Sequence, residues 1–264
     1  MEQSPEDETR GAQTLRRGLT ILKLLARYQP GGLRMSDIGR RAGLNKATAV
    51  RLTRTLMEER FVTLDLGTRN YRLGPEAFAV GLAAEPAYSL QRLAAPLLRS
   101  LALETGDWVF FSVRQGFEAI CLSRESGDIP YPASALKIGD RHPLGIGAGG
   151  IAMLAALPDE EVETALVATE MAMTSDYPEV TVSMARAMVR ETREKGYSFI
   201  PGTIVRGYCG LGVPLLQQDG QPVAAVVLVT SANRLNPTRQ AALGERMRRL
   251  AEELMSRNSH DSSS

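Results

Sequence analysis

The chain has 264 residues, of which 44% are hydrophobic and 23% charged, so it is long enough for two modest domains that each bury a core. Its most apolar run, PVAAVVLVT, is too short to span a bilayer, and the acidic start MEQSPEDETR is unlike a signal peptide, so we expect a cytoplasmic protein. The net charge of +1 hides an asymmetry: residues 10–75 carry fourteen Arg or Lys and four acids, an excess typical of a region that meets a polyanion.

Two helices and a tight turn are predicted at the start of this basic region. LRRGLTILKLLA places leucines at helical spacing on one face, and QPGG ends that helix. MSDIGRRAG predicts a short second helix with Ser36 at its N-cap and Gly43 just past its end. The leucines predicted to face the core are Leu15, Leu19, Leu22 and Leu25.

A third helix and a hairpin complete a pattern typical of a winged helix-turn-helix. LNKATAVRLTRTLMEERFV has an apolar side and a basic side with small residues, and FVTLDLGTRNYRLG predicts a β-hairpin with Arg69 at its tip. We therefore expect duplex DNA binding, although such arginines can also simply solvate exposed helix faces. The candidate DNA-binding residues are Ser36, Asn45, Lys46, Ala47, Thr48, Val50, Arg51, Arg54 and Arg69.

A linker helix is predicted from Pro75, with a break near Pro86. Its small-residue face suits a close helix partner in a second copy of the chain, or packing on its own domain. That face consists of Ala77, Val80, Gly81 and Ala84.

From Trp108 the pattern changes to alternating strands and helices. WVFFSVR and EAICLSRES predict one hairpin, and GLGVPLL and PVAAVVLVT predict a second. PDEEVETALVAT, VSMARAMVRETREKG and PTRQAALGERMRRLAEELMSR predict helices. These elements indicate an α+β domain with an antiparallel sheet.

The string HPLGIGAGGIAMLAAL contains a glycine pattern, G-x-G-x-x-G, that also occurs in dinucleotide-binding enzymes. Such a motif needs a buried strand directly before its first glycine, and here KIGDRHPL interrupts any strand at that point. A nucleotide site is therefore disfavoured. The glycines either let a ligand approach backbone N–H groups at a helix start or form a turn with positive φ.

Taken together, these segments resemble the IclR family of bacterial transcription regulators, through residue 256 or so. The resemblance rests on MSDIGRRAGLNKATAVRLTRTLMEERFV, NYRLGPEAFAVG, GAGGIAMLAALP, REKGYSF and GYCGLGVPLLQQDGQPVAAVVLV, in this order. Arg60 departs from a usual glycine before the wing, and Thr53 from a more frequent leucine. The resemblance implies a winged helix-turn-helix (14–75), a linker helix (76–90) and a GAF-like α/β effector-binding domain (91–256), and we expect disordered tails on either side, at residues 1–13 and 257–264.

In similar regulators the glycine-rich segment lines an effector pocket. Relatives that bind small oxoacids carry an acid and serines where this chain has Ile200 or Pro201, Val227 and Val229, and only Cys209 is retained. We therefore expect a more apolar effector: an aromatic or branched-chain acid, or a neutral lactone or ester. The candidate effector-binding residues are Trp108, Phe110, Ile146, Ala148, Gly149, Gly150, Ile200, Cys209, Val227 and Val229, with Leu211 as a further possible wall.

Three functions remain open: a ligand-responsive regulator, an enzyme that uses the second domain, and an architectural DNA-binding protein. Two distant cysteines and two histidines offer neither a nucleophile-base pair nor zinc spacing, so we expect no catalytic residue, cofactor or metal. An architectural protein does not need a second domain of this size. We expect a regulator that binds a palindromic operator as a dimer or a dimer of dimers. Repression is the commoner mode in the family, so a repressor is expected.

Overall fold

The computed structural model describes residues 5–84, 89–130, 136–202 and 204–261. The chain divides into two compact units, residues 1–88 and 89–264. The helix break predicted near Pro86 lies outside the described residues.

The first unit contains three helices, a short hairpin and a fourth helix. The helix at the start of the chain buries Ile21 and Leu25, whereas Leu15 and Leu19 are 65% and 45% exposed, so the predicted core face of this helix was wrong for its first half. The elements are α1 (Pro5–Arg27), α2 (Met35–Arg41), α3 (Lys46–Glu58), β1 (Val62–Leu64), β2 (Tyr71–Leu73) and α4 (Pro75–Ala84).

The cap predicted for α2 is also corrected. Arg34, not Ser36, occupies the N-cap position, and its side chain makes no capping hydrogen bond. Leu33 explains this, because it pairs with Tyr71 as an isolated bridge and keeps the chain extended until the helix begins. Ser36 instead lies exposed in the first turn of α2.

The second unit is built on one six-stranded sheet in which all neighbours are antiparallel. The four strands predicted from the sequence are present, and two edge strands of three residues each were not predicted. In sheet order β5-β4-β3-β8-β7-β6, the strands are β5 (Arg141–Pro143), β4 (Glu118–Glu125), β3 (Trp108–Gln115), β8 (Pro222–Ser231), β7 (Tyr208–Leu216) and β6 (Ser198–Ile200).

Helices cover both faces of this sheet, which gives the unit two apolar cores and confirms the α+β class. The helices are α5 (Ser89–Thr105), α6 (Gly147–Ala155), α7 (Asp159–Asp176), α8 (Val182–Lys195) and α9 (Pro237–Asp261). One core joins β-strand residues such as Phe110 and Val227 to α6, α7 and α8, and the other joins Phe111 and Leu211 to α5 and α9.

Helices extend into both segments that were predicted as tails. α1 starts at Pro5 and α9 ends at Asp261, so neither residues 5–13 nor residues 257–261 lie outside regular structure.

Candidate functional site

The third helix of the first unit presents a sharply divided surface. Ala49, Leu52 and Thr53 are buried against the bundle. The Asn45 side chain caps the helix by accepting a hydrogen bond from the Thr48 backbone N–H at 2.8 Å. On the outward side Lys46, Ala47, Arg51 and Arg54 are exposed, while Thr48 and Val50 are half-buried.

The hairpin after α3 is held by a carboxylate at its turn. Asp65 accepts hydrogen bonds from the backbone N–H groups of Gly67 and Thr68, both at 2.9 Å, and pairs with Arg72 at 2.9 Å. The Thr68 N–H, followed by the nearby Arg72 guanidinium and further hydrogen bonds in the turn, keeps the pKa of Asp65 below its usual value. Arg69 is exposed at this turn with a φ of 60°, so its charge projects from the tip of the wing.

The wing is tied to the helices through the segment before α2. Leu33 exchanges backbone hydrogen bonds with Tyr71 at 3.0 and 2.7 Å, and the Asn70 side chain donates to the Gly31 carbonyl at 2.9 Å. The wing therefore has a fixed position relative to α2 and α3. A basic helix face and a charged hairpin tip in one rigid unit can bind a major groove and its flanking phosphates.

On the second unit, strand register arranges the predicted effector residues into two rows on the sheet face that carries α6. The first row runs across Trp108, Val229, Gly210 and Ile200, and the second across Arg124, Phe110, Val227 and Gly212. In the first row Trp108, Val229 and Gly210 are half-buried, whereas Phe110 and Val227 in the second row are buried. Solvent therefore reaches this sheet face at the first row.

The glycines of α6 are explained by packing. A Cβ on Gly149 would lie 2.7 Å from Val227 Cγ2, and one on Gly150 would lie 2.6 Å from the Leu144 carbonyl oxygen. Gly147 has a φ of 74°, which favours glycine, and open space beside it. Of the two interpretations of the glycine string, these contacts favour the structural one, because α6 lies directly on the sheet at Gly149.

Ala148 and Ile146 begin the same helix, and both are buried in the core beneath α6. Gly210 lies under Ala148: a Cβ built on Gly210 would be 3.3 Å from the Ala148 Cβ. The Ala148 carbonyl accepts a hydrogen bond from the buried Ser198 hydroxyl at 2.6 Å. The start of α6 is thus fixed against the row that contains Gly210.

Two predicted pocket residues face away from this row. Strand alternation along β7 places Cys209 with Leu211 and Val213, on the side of α5 and α9, while Gly210 and Gly212 face α6. The prediction that the side chains of Cys209 and Leu211 line the same site as Gly149 was therefore wrong. Burial raises the pKa of the Cys209 thiol above its ordinary value.

The structure also brings together residues that sequence reasoning missed. The Trp108 indole donates to the Ile129 carbonyl at 2.8 Å, and the Tyr208 hydroxyl donates to the Pro130 carbonyl. The Arg124 guanidinium carbon lies 5.0 Å from the centre of the Trp108 ring. Only the alternation of β4 marked Arg124 in the sequence, and its face depends on a register shift after Phe111.

Among the described residues of this unit, Cys121 and His142 carry side chains of the kind that catalysis uses. Burial, with a smaller contribution from Asp140, raises the pKa of the Cys121 thiol to about 12, which keeps it protonated near neutral pH. His142 Nδ1 contacts the Tyr177 hydroxyl. Among the described residues, no group of three or more His, Cys, Asp or Glu side chains could hold a metal ion, and no helix is both long and apolar enough to cross a membrane.

Comparison with known proteins gives matches along nearly the whole chain. A model of the IclR helix-turn-helix domain matches residues 14–66, and the model described as bacterial transcriptional regulator IclR C-terminal matches residues 86–256. The chain is 29% identical over 242 residues to a Klebsiella pneumoniae protein named HTH-type transcriptional repressor AllR, covering 92% of this chain and 88% of the relative. The corresponding protein of Escherichia coli K12 is 27% identical over 245 residues, covering 93% and 90%.

Solved structures share the fold. The Thermotoga maritima IclR structure has a TM-score of 0.72 at 21% identity and covers 93% of this chain and 98% of that one. An IclR homolog from Microbacterium hydrocarbonoxydans, complexed with 4-hydroxybenzoate, has a TM-score of 0.69 at 21% identity and covers 92% and 98%.

Proposed function

Since the chain belongs to the IclR family of bacterial transcriptional regulators, we propose that it is a cytoplasmic repressor that binds a palindromic operator as a dimer and releases it in response to a small organic effector. It is a DNA-binding, ligand-responsive regulator and not an enzyme. The proposed sign of regulation draws on the repressors of Klebsiella pneumoniae and Escherichia coli to which it is similar.

The exposed basic face of α3 carries the DNA-binding part of this proposal. Exposed Ala47 permits close approach to the floor of the major groove, and Arg51 and Arg54 can reach guanine edges or phosphates. Arg69 at the wing tip can reach a phosphate or the minor groove. Ser36, Asn45, Lys46, Thr48 and Val50 complete the proposed contact surface, with Asn45 acting through its cap on α3.

Selection from a random duplex pool, followed by footprinting of the selected sequence, tests this surface. The double variant Arg51→Ala, Arg54→Ala should lose the footprint, and the slope of log K against log salt should become shallower by about 0.9 for each phosphate that is no longer neutralised. The double variant Arg249→Ala, Arg257→Ala removes two exposed arginines of α9 and should leave the footprint unchanged. Equal footprints for all three proteins would refute the placement of the recognition helix.

Exposed apolar side chains on the first unit support a dimer. α4 is an apolar helix without a buried residue: Phe78, Val80 and Leu82 are 69%, 52% and 53% exposed. Leu15 and Leu19 of α1 are also exposed. Surfaces of this kind mark interaction sites, and a palindromic operator requires two copies of the recognition helix. A second copy of this chain is the proposed partner, and two such dimers could form a tetramer.

Sedimentation of the double variant Phe78→Glu, Leu82→Glu tests this interface. We expect a lower association state than wild type and an operator footprint reduced to half-site strength. The double variant Val167→Glu, Met171→Glu places two acids at exposed apolar positions on α7 and serves as the matched control. An unchanged mass for the α4 variant would show that the dimer forms elsewhere.

The effector site is proposed at the half-buried row of the sheet, beneath the start of α6. Its apolar walls support an effector with an aromatic or branched body, and the 4-hydroxybenzoate in the Microbacterium hydrocarbonoxydans homolog supports an aromatic acid. A thermal-shift screen of small acids, lactones and esters tests this, with operator gel shifts to show release. Hits that stabilise the protein without affecting operator binding would contradict a regulatory effector.

A further inference from the structure

An arginine, Arg124, lies beside the half-buried row of Trp108, Val229 and Gly210. Arg124 pairs with Phe110 across β4 and β3, so its side chain stands on the α6 face of the sheet. Its guanidinium carbon lies 5.0 Å above the centre of the Trp108 ring. Glu125, the carboxylate that follows Arg124 in β4, pairs with Val109 and therefore faces α5 and α9, on the other side of the sheet.

The charge of Arg124 remains available to a ligand. The side chain is exposed, and within the part of the chain that the structure describes no carboxylate forms an ion pair with it. Stacking on Trp108 restricts where its N–H donors can point, so less side-chain freedom is lost when an anion binds.

The surroundings of Trp108 are polar on the side of Arg124 and apolar on the side of Val229 and Gly210. The indole N–H is bound to the Ile129 carbonyl, and the Tyr208 hydroxyl to the Pro130 carbonyl, so residues 129–130 lie across the ends of β3 and β7. Val229 and Gly210 continue the row away from Arg124. A ligand on this row meets a cation at one end and apolar side chains along its length.

We propose that Arg124 is the residue that selects a carboxylate effector over a neutral lactone or ester, by binding the carboxylate while Trp108 and Val229 contact the apolar body. This inference rests on the proposed effector site. It assigns a binding role to a residue for which the family resemblance implied none, and it narrows the effector to a monocarboxylate with an apolar body.

Trp108 is the single tryptophan of the chain and reports on this site directly. Its fluorescence would be titrated with benzoate, 4-hydroxybenzoate, phenylacetate and 3-methylbutanoate, each against its own amide. We expect at least one carboxylate to bind at least about tenfold more tightly than its amide, since a hydrogen bond to a charged partner is worth this much.

The preference should disappear in Arg124→Gln and be partly kept in Arg124→Lys, which retains the charge without the planar fork. Arg141→Gln removes an exposed arginine near the other end of β4 and should retain the full preference. Relative to neutral acrylamide, iodide should quench Trp108 less in Arg124→Gln than in wild type, because the cation that attracts the anion is gone even though the shorter side chain uncovers the ring.

Three results would overturn the proposal: no carboxylate preferred over its amide, an undiminished preference in Arg124→Gln, or an equal loss in Arg141→Gln. Gel shifts with the selected operator separate this outcome from failure of the proposed function. Carboxylate binding that depends on Arg124 but leaves operator binding unchanged would refute the regulatory effector and keep the assignment of Arg124. Operator release by a neutral ligand alone would keep the proposed regulatory function and refute the assignment of Arg124.

Discussion

Small residues lie in the first turn of both α3 and α6, and they serve opposite purposes in the two units. In α3 the small residue Ala47 faces outward and is exposed, so it permits a partner outside the chain to approach. In α6 Gly149 and Gly150 face inward, and a Cβ on either would lie within 2.7 Å of Val227 or Leu144. A small residue at a helix start thus indicates close approach, but the partner is DNA in one proposal and the protein's own sheet in the other.

The largest expected effect is that of Gly149→Leu, which places a branched side chain between α6 and β8. Overpacking at this contact should cost about 3 kcal/mol or more of the free energy of unfolding of the second unit. Gly18→Leu is the control, because nothing lies within 4 Å of a Cβ there. Calorimetric melting of both variants makes the measurement. A Gly149→Leu protein with wild-type Tm and no effector binding would instead favour the ligand interpretation of the glycines.

The outward-facing counterpart is Ala47→Leu, which enlarges the face of α3 without touching the core. Operator affinity should fall by about 2 kcal/mol, roughly the value of one or two base contacts, as the helix is held away from the groove. The free energy of unfolding should change by less than about 0.5 kcal/mol, as for most exposed substitutions. Gel shifts and melting curves of the same preparation test both statements, and a large loss of stability would place Ala47 in the core.

Thr53 lies on the inward face of α3, and its replacement should raise stability, by less than Gly149→Leu lowers it. It is fully buried, and its hydroxyl has no hydrogen-bond partner among the described residues. Thr53→Val keeps the shape and removes this unsatisfied group, so it should stabilise the unit by about 1 kcal/mol. Thr55→Val, at an exposed position of the same helix, should change little. Hydrogen exchange of the α3 amides in the full chain provides the measurement.

A change of similar size concerns the chain directly after α3. Arg60 has a φ of 58°, a conformation that costs a side-chain-bearing residue about 1 kcal/mol relative to glycine. Arg60→Gly should therefore stabilise the first unit by about this amount. Arg54→Gly, inside α3, should destabilise it by a similar amount because glycine weakens a helix interior. Urea denaturation measures the free energy of unfolding of both variants. If both variants were stabilised or both destabilised, the backbone explanation would be contradicted.

Much of the fold could be predicted from local pattern, and the failures have physical causes. Helices α2 and α3 and the four long strands lie close to their predicted positions, because their periodicity and turn residues are local properties. β5 and β6 were missed because, unlike the equally short β1 and β2, neither is joined to its partner strand by a tight turn that marks a hairpin in the sequence. The start of α2 was misplaced because Leu33 pairs with Tyr71, a contact that the local sequence does not indicate.

The candidate effector site depended more strongly on tertiary structure. The family resemblance singled out Val227, and apolar character singled out Trp108 and Phe110 as possible walls. The sheet register brings all three onto the face that carries α6. The same register moves Cys209 to the opposite face and brings Arg124 beside Trp108. A shift of one residue along a strand moves a side chain to the opposite face of the sheet. A site on a sheet can therefore be predicted only when the strand pairing is known as well as the residues.

The sequence by itself determined the winged helix, its charged face, the α+β class and the family, because helical periodicity, turn residues and charge are properties of neighbouring residues. Only the tertiary structure decided what Gly149 and Gly150 contact, which face Cys209 occupies and that Arg124 stacks on Trp108. These facts depend on residues distant in sequence, Val227 and Leu144 among them. They follow from how α6 packs on the sheet and how strands pair, since close packing leaves no room for a Cβ at Gly149.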